Sequence, residues 1–241
     1  MSGNENIKNG SGGKKAKSLF ITGTGTEVGK TFVSGLIVKK LHEHGKKATY
    51  YKAAMSGNVR DPQGNLIPGD ALQVKNMSGI AQDMNSMCPY VYEHAVSPHL
   101  ASRIEGNPVQ MRRVREGFDV LSGKYDYITV EGSGGIICPI CFDEEKIRLE
   151  DVVKELDLQS VIVADAGLGT INSVVLTVEY MRLRGMGIKG IILNRYHDGD
   201  LMEEDNKFMC EHMTGLDVLA CVHEGDTDID ISPDFLASLY E

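Results

Sequence analysis

The segment Gly23-Thr24-Gly25-Thr26-Glu27-Val28-Gly29-Lys30-Thr31 constrains this chain more than any other. It follows the apolar run Ser18-Leu19-Phe20-Ile21-Thr22 and precedes apolar residues at Phe32, Val33, Leu36, Ile37 and Leu41. The first run reads as a strand and the second has helical spacing, so a glycine-rich turn joins a strand to a helix. Glycines let the backbone wrap closely around an anion with its N–H groups pointing inward. The helix N-terminus adds about half a positive charge. Lys30 is placed to reach the outer phosphates of a nucleotide, and the Thr31 hydroxyl to ligate Mg²⁺. The common form of such a loop is G-x-x-x-x-G-K-[ST]. Here the residue five before Gly29 is Thr24 and the glycine lies one earlier, at Gly23, so the loop is one residue longer. The competing reading is a helix that merely starts after a flexible turn. Gly-Lys-Thr in a strand–loop–helix setting disfavours it.

The rest of the chain continues the alternation. Strands are expected at 48–51, 126–131, 161–164, 188–193 and 218–222, and helices around 70–78, 108–122, 171–184 and 203–213. The stretch 56–70, rich in Gly, Pro, Asn and Asp, reads as a loop. Short apolar runs between helices predict an α/β fold with a doubly wound, mostly parallel sheet buried on both faces. Residues 1–17 form a polar segment without the apolar stretch of a signal peptide and read as a flexible tail. Residues 18–241 read as a single domain. In such a sheet the ligand binds outside the carboxyl ends of the strands. Gly23, Lys52, Glu131, Asp165 and Asn194 all fall at those ends.

Composition excludes several classes. Lys plus Arg is 25 and Asp plus Glu is 34, a formal charge of −9, which disfavours nucleic acid or an anionic membrane as partner. Aromatic residues are 6% and Trp is absent, so base-stacking platforms are few. No apolar run reaches the roughly 18 residues of a membrane span. Five scattered cysteines do not make a disulfide scaffold and point to the reducing cytoplasm.

Lys52 ends the strand in Tyr-Tyr-Lys-Ala-Ala-Met-Ser-Gly, where an ammonium could neutralise a transferring phosphoryl group; a solvated surface lysine is the plainer reading. Asp70, in Pro-Gly-Asp-Ala-Leu, reads as a helix N-cap, a metal ligand, or both. Glu131 closes a strand before Gly132-Ser133-Gly134-Gly135, a position suited to holding Mg²⁺ beside phosphates. Cys138 and Cys141 have C-x-x-C spacing without a second pair, which does not support a zinc site. His99 is expected in a loop, and His42 and His44 on the solvent side of the first helix.

The motifs GTGTEVGKT, YKAAMSG, GDAL, SPH, VEGSGG, LGTIN and LNR occur in this order. Together they resemble the dethiobiotin synthetases over about residues 19–194. The extended glycine loop is part of that resemblance. It implies a P-loop NTPase fold, a homodimer, and an ATP- and Mg²⁺-dependent cyclo-ligase of biotin biosynthesis. The implied reaction joins CO₂ to the two amines of 7,8-diaminononanoate through a carbamate and a carbamic–phosphoric anhydride. By resemblance, Gly25, Thr26, Glu27, Val28, Gly29, Lys30, Thr31 and Asn194 bind the nucleotide, with Asn194 at the base. Thr31, Asp70 and Glu131 hold the metal. Lys52, Lys30 and Thr26 are catalytic. Ser56, Glu131, Gly134 and Gly135 face the diamine, and Gly169, Thr170 and Asn172 take its carboxylate tail across the dimer.

Some residues depart from that pattern. Lys52 is followed by Ala53 where the family often has proline, and Asp165-Ala166-Gly167-Leu168 lacks a lysine often found there. The later base-contacting Gly-x-Ile-Pro element is replaced by Ala220-Cys221-Val222-His223-Glu224. A nucleotide switch of the ParA/MinD class is the alternative, but it would carry a second lysine where Gly25 stands. A domain resembling that of cobyric acid synthases is another, but 241 residues leave no room for the glutaminase domain those chains carry. If the C-x-x-C pair is inert, Cys138→Ser combined with Cys141→Ser leaves turnover nearly unchanged in a steady-state assay. Loss of turnover with the fold intact would reverse that reading.

Overall fold

A computed structural model describes residues 15–240. Residues 1–14 of the expected tail lie outside the described residues. The last part of that segment belongs to the fold: Ala16 is buried, its N–H donates to Ser122 Oγ at 3.2 Å, and Lys17 already pairs with Tyr127.

The central sheet has six strands: β1 (Lys17–Gly23), β2 (Ala48–Lys52), β5 (Tyr127–Gly135), β8 (Gln159–Asp165), β9 (Ile188–Asn194) and β10 (Val218–Val222). Their order is β10-β9-β8-β1-β5-β2, and every neighbouring pair is parallel. The chain runs from the centre at β1 out to the edge at β2, returns through β5, and then crosses to the other side of β1. That reversal makes the doubly wound topology expected from the sequence and opens a crevice at the tip of β1.

Side chains alternate across the strands and divide the core into two layers. Leu19, Ile21, Tyr50, Val161 and Val163 pack against α1 (Lys30–Glu43), α2 (Gly69–Ser78) and α8 (Pro233–Ser238). Phe20, Ile128, Val130, Ile162 and Ala164 face α4 (Met111–Ser122), α5 (Leu149–Glu155), α6 (Thr170–Leu183) and α7 (Leu201–Thr214). Both faces of β1 are therefore apolar, which is why Leu19-Phe20-Ile21 is an unbroken apolar run.

The departures from expectation are short elements that no long periodic pattern announces. Two residue pairs inside the 56–70 loop form a small hairpin, β3 (Val59–Arg60) with β4 (Leu66–Ile67). His99 lies in helix α3 (Pro98–Ile104), not in a loop, because Pro98 at the first helical position starts a turn there. A second hairpin, β6 (Pro139–Phe142) with β7 (Lys146–Arg148), and the helices α5 and α8 also went unanticipated. Strand β5 does not stop at Glu131 but continues to Gly135, opposite Gly23.

The acidic stretch near the carboxyl end gains a structural role. Lys40 Nζ lies 2.6 Å from Asp228 Oδ2 and Lys39 Nζ donates to the Thr227 carbonyl at 2.7 Å, tying the segment to α1 while Ile229 and Ile231 are buried. No helix among the described residues is long and apolar enough to cross a membrane.

Helix α4 docks through Val114, Phe118 and Leu121. The Tyr51 hydroxyl donates to the Val114 carbonyl at 2.7 Å and its ring meets Phe118 edge-on at 6.3 Å. Phe118→Ala is expected to destabilise the fold by about 3–5 kcal/mol, the usual cost of removing a buried phenyl ring. Urea unfolding measures it, and a loss under about 1 kcal/mol would mean that α4 does not depend on this contact.

Candidate active site

The tips of β1, β2, β5 and β9 converge on a cleft of about 880 Å³. Its lining includes Thr26, Glu27, Gly29, Lys30 and Thr31 from the glycine loop, Lys52 at the end of β2 and Ser56 beyond it, Asp70 from α2, and Glu131 and Gly134 from β5.

The loop is held in an unusual backbone conformation. Glu27 and Gly29 have positive φ angles of 63° and 91°. Gly29 permits no side chain, because a Cβ there would lie 1.9 Å from Asn194 Nδ2. Two successive residues at the end of β9 grip the loop. Asn194 Nδ2 donates to the Val28 carbonyl at 3.1 Å, and the Arg195 guanidinium donates to the Glu27 carbonyl at 2.7 Å. Arg195 is itself left-handed, with φ of 55°, and pairs with Asp165 at 2.6 Å. Lys30 folds back so that its ammonium donates to the Gly25 carbonyl at 2.7 Å. Burial, and then the nearby Lys52, lower its pKa to about 8.

Beside Lys30 lies a compact charge cluster. The parallel register sets Lys52 opposite Glu131 on adjacent strands. The Lys52 ammonium is 2.6 Å from Glu131 Oε1 and 2.6 Å from Asp70 Oδ2. Thr31 Oγ1 donates to the same Glu131 oxygen at 2.9 Å. Tyr50, one full pleat before Lys52, donates its hydroxyl to Glu131 Oε2 at 2.9 Å. Glu131 is 1% exposed and Lys52 5%. Burial alone would push Lys52 toward neutrality, but Glu131 and Asp70 outweigh it and hold the ammonium above the ordinary lysine range. Lys52 is therefore buried, and the alternative of a solvated surface lysine does not hold.

Asp70 is not a helix cap. Pro68 occupies the N-cap of α2, the Gly69 N–H is taken by Asn58 Oδ1 at 2.9 Å, and the Asp70 carboxylate turns to Lys52. Thr31, Asp70 and Glu131 supply oxygens only, the donor type Mg²⁺ prefers, and Mg²⁺ at phosphate sites needs only one or two carboxylates. No cluster of three or more His, Cys, Asp or Glu side chains able to hold a metal occurs among the described residues. The two carboxylates already accommodate one cation between them, the Lys52 ammonium, so the donor set fits a magnesium ion bound together with phosphates.

Other expected residues lie elsewhere. Gly25 and Val28 contribute carbonyls, the first accepting from Lys30 within the loop and the second from Asn194 of β9. Gly135 faces a neighbouring depression with Gly23, Thr24 and Ile137, not this cleft. Gly169, Thr170 and Asn172 form the start of α6, with Gly169 in the left-handed N-cap position, and none of them lines the cleft. Cys138 lines the cleft as a free thiol whose pKa is pushed up by burial, while Cys141 is buried in the core.

Sequence reasoning overlooked Tyr50 and Arg195. Strand periodicity carried a signal for the first, since residues two apart on β2 share a face and Lys52 was already a candidate. For Arg195 the signal was its place directly after a strand tip beside Asn194.

Comparison with known proteins agrees with this geometry. The AAA domain family matches residues 17–227. An ATP-dependent dethiobiotin synthetase of Brachyspira hyodysenteriae is 48% identical over 216 residues, covering 89% of this chain and 96% of that protein. One of Clostridium perfringens is 46% identical over 206 residues, covering 86% and 90%. A chain of the MinC:MinD cell division protein complex of Aquifex aeolicus superposes with a TM-score of 0.57 at 14% identity, covering 93% of this chain and 94% of its own. That likeness speaks for a shared P-loop ATPase fold and no more. The identity along nearly the whole chain, together with the loop and charge cluster, shows that this chain belongs to the ATP-dependent dethiobiotin synthetase family.

Proposed function

We propose that the chain closes a cyclic urea on 7,8-diaminononanoate with CO₂ and ATP, forming dethiobiotin and releasing ADP and phosphate. Family membership carries the overall reaction. The observation that carries the assignment of roles is the pairing of a phosphate-type loop with the Lys52–Asp70–Glu131–Thr31 cluster across one cleft.

In this reading one amine of the diamine takes up CO₂ as a carbamate. A carbamate oxygen attacks the γ-phosphorus, and ADP leaves with the β–γ bridging oxygen. The second amine then attacks the carbonyl carbon of the mixed anhydride, phosphate leaves with the bond electrons, and the ring closes. The chain's work is positioning and charge neutralisation. Lys30 and the loop N–H groups hold the phosphates, with Thr26 and Glu27 at the same wall. Lys52 neutralises the carbamate and the transferring phosphoryl oxygens. Thr31, Asp70 and Glu131 would hold Mg²⁺, which would supply neutralisation of phosphate charge. Ser56 and Gly134 border the diamine. Asn194 supports the nucleotide side, both through the loop carbonyl it holds and as a contact to the base.

The assembly in this reading is a homodimer, and its compartment the cytoplasm. Gly169, Thr170 and Asn172 do not line the cleft of their own chain, which is compatible with the role that the family resemblance implies for them, at the substrate tail of a neighbouring copy. The apolar side chains Leu168, Leu176 and Leu183 are exposed on the same flank, which supports a covered surface there. All five cysteines are free, in keeping with a reducing compartment.

Phosphate release is expected to depend on both 7,8-diaminononanoate and bicarbonate, and Lys30→Ala to abolish it. ATP hydrolysis indifferent to the diamine would favour the nucleotide-switch alternative. A second expectation concerns pH. Lys30 in the free protein loses its proton through about pH 8, and a bound triphosphate favours the ammonium. ATP affinity is therefore flat below that value and weakens above it, with proton uptake on binding. Calorimetry in buffers of different ionisation enthalpy measures both, and pH-independent affinity from 7 to 9.5 would refute the role given to Lys30.

A further inference from the structure

Tyr50 is a fully buried phenol that the reaction as described does not use. Its hydroxyl donates to Glu131 Oε2 at 2.9 Å, and burial followed by that carboxylate drives its pKa well above the tyrosine range. The other oxygen, Oε1, meets Thr31 and Lys52 on the cleft side. The two oxygens of one carboxylate are thus divided between an inner donor and the site.

Tyr50 is itself tightly placed. The Gln82 side chain accepts from the Tyr50 N–H at 3.0 Å and donates to the Tyr50 carbonyl at 2.9 Å, closing the outer edge of β2 at this residue. Gln82 is 1% exposed. The next covering bond, Lys52 N–H to the Met87 carbonyl at 2.9 Å, fixes the strand where the site lysine leaves it. A polar chain therefore runs from Gln82 through Tyr50 to Glu131, with no side-chain freedom left at its middle.

We propose that Tyr50 is a positioning residue for the metal-binding carboxylate: by occupying Oε2 it locks Glu131 in the one orientation that presents Oε1 beside Thr31. The inference rests on the reading of Glu131 as a metal ligand. Without the phenol, Oε2 is a buried acceptor lacking a partner, and the carboxylate is free to rotate toward whatever donor remains, including the Lys52 ammonium. Hydrogen-bond partners behind metal ligands typically contribute about 10–100-fold in metal affinity.

The test compares the full chain with Tyr50→Phe and Glu131→Gln. Mn²⁺ binding in the presence of ADP is followed by electron paramagnetic resonance, and ADP binding in EDTA and thermal melting are measured alongside. Tyr50→Phe is expected to weaken Mn²⁺ binding about tenfold. ADP affinity in EDTA stays unchanged, and the Mg²⁺ concentration needed for half-maximal phosphate release rises in step, with the rate recovering at saturating Mg²⁺. Unchanged Mn²⁺ affinity in Tyr50→Phe, with Glu131→Gln weakened, would overturn the proposal and leave Glu131 as a ligand. Unchanged Mn²⁺ affinity in Glu131→Gln would remove the ligand role itself, and the proposal with it. Equal loss of metal-free and metal-dependent ADP binding in Tyr50→Phe would show a merely structural role and also overturn it.

Discussion

Glu131 is a buried carboxylate on β5, between β1 and the edge strand β2, and a carboxylate so placed persists only if its oxygens are paired. Every partner it has comes from a different element: Tyr50 and Lys52 from β2, and Thr31 from the start of α1. Lys52 in turn draws in Asp70 from α2. One buried side chain thereby sets the mutual position of the loop, the edge strand and the first two helices. The compensation also prepares the chemistry. The ammonium that neutralises the cluster in the free protein is the group best placed to meet negative charge moving toward the phosphoryl group.

The same economy holds at the phosphate loop. A loop with two residues at positive φ does not hold its shape through local preference. Asn194 and Arg195 fix it from outside by taking the carbonyls of Val28 and Glu27. Gly29 has no Cβ because Asn194 occupies that space. Strand β9 thus helps shape the loop through the backbone it restrains.

Much of this was legible in the residues. Short apolar runs alternating with helical periodicity located all six sheet strands and the long helices, because the alternation repeats along the chain. Gly-Lys-Thr after a strand located the loop, and strand ends located Lys52 and Glu131. What stayed hidden depends on three-dimensional pairing. Whether Asp70 caps a helix or binds Lys52 is decided by Pro68 and Asn58, which no local pattern couples to it. Tyr50 reads as one more core aromatic until β2 is aligned on β5. The hairpin at 139–148 and the six- and seven-residue helices are too short to leave a periodic trace.

The fold is shared with a cell division protein and a ParA-family ATPase at low identity, so the sheet and loop alone do not choose between a switch and a ligase. The choice rests on the identity to the dethiobiotin synthetases along nearly the whole chain, and in the chemistry on whether phosphate leaves through the substrate or through water. Isotope transfer addresses this directly. In a single turnover with ATP, 7,8-diaminononanoate and ¹⁸O-labelled bicarbonate, the released phosphate should carry one labelled oxygen, because a carbamate oxygen becomes part of the phosphate when the anhydride breaks. Dethiobiotin accompanied by unlabelled phosphate would contradict the account.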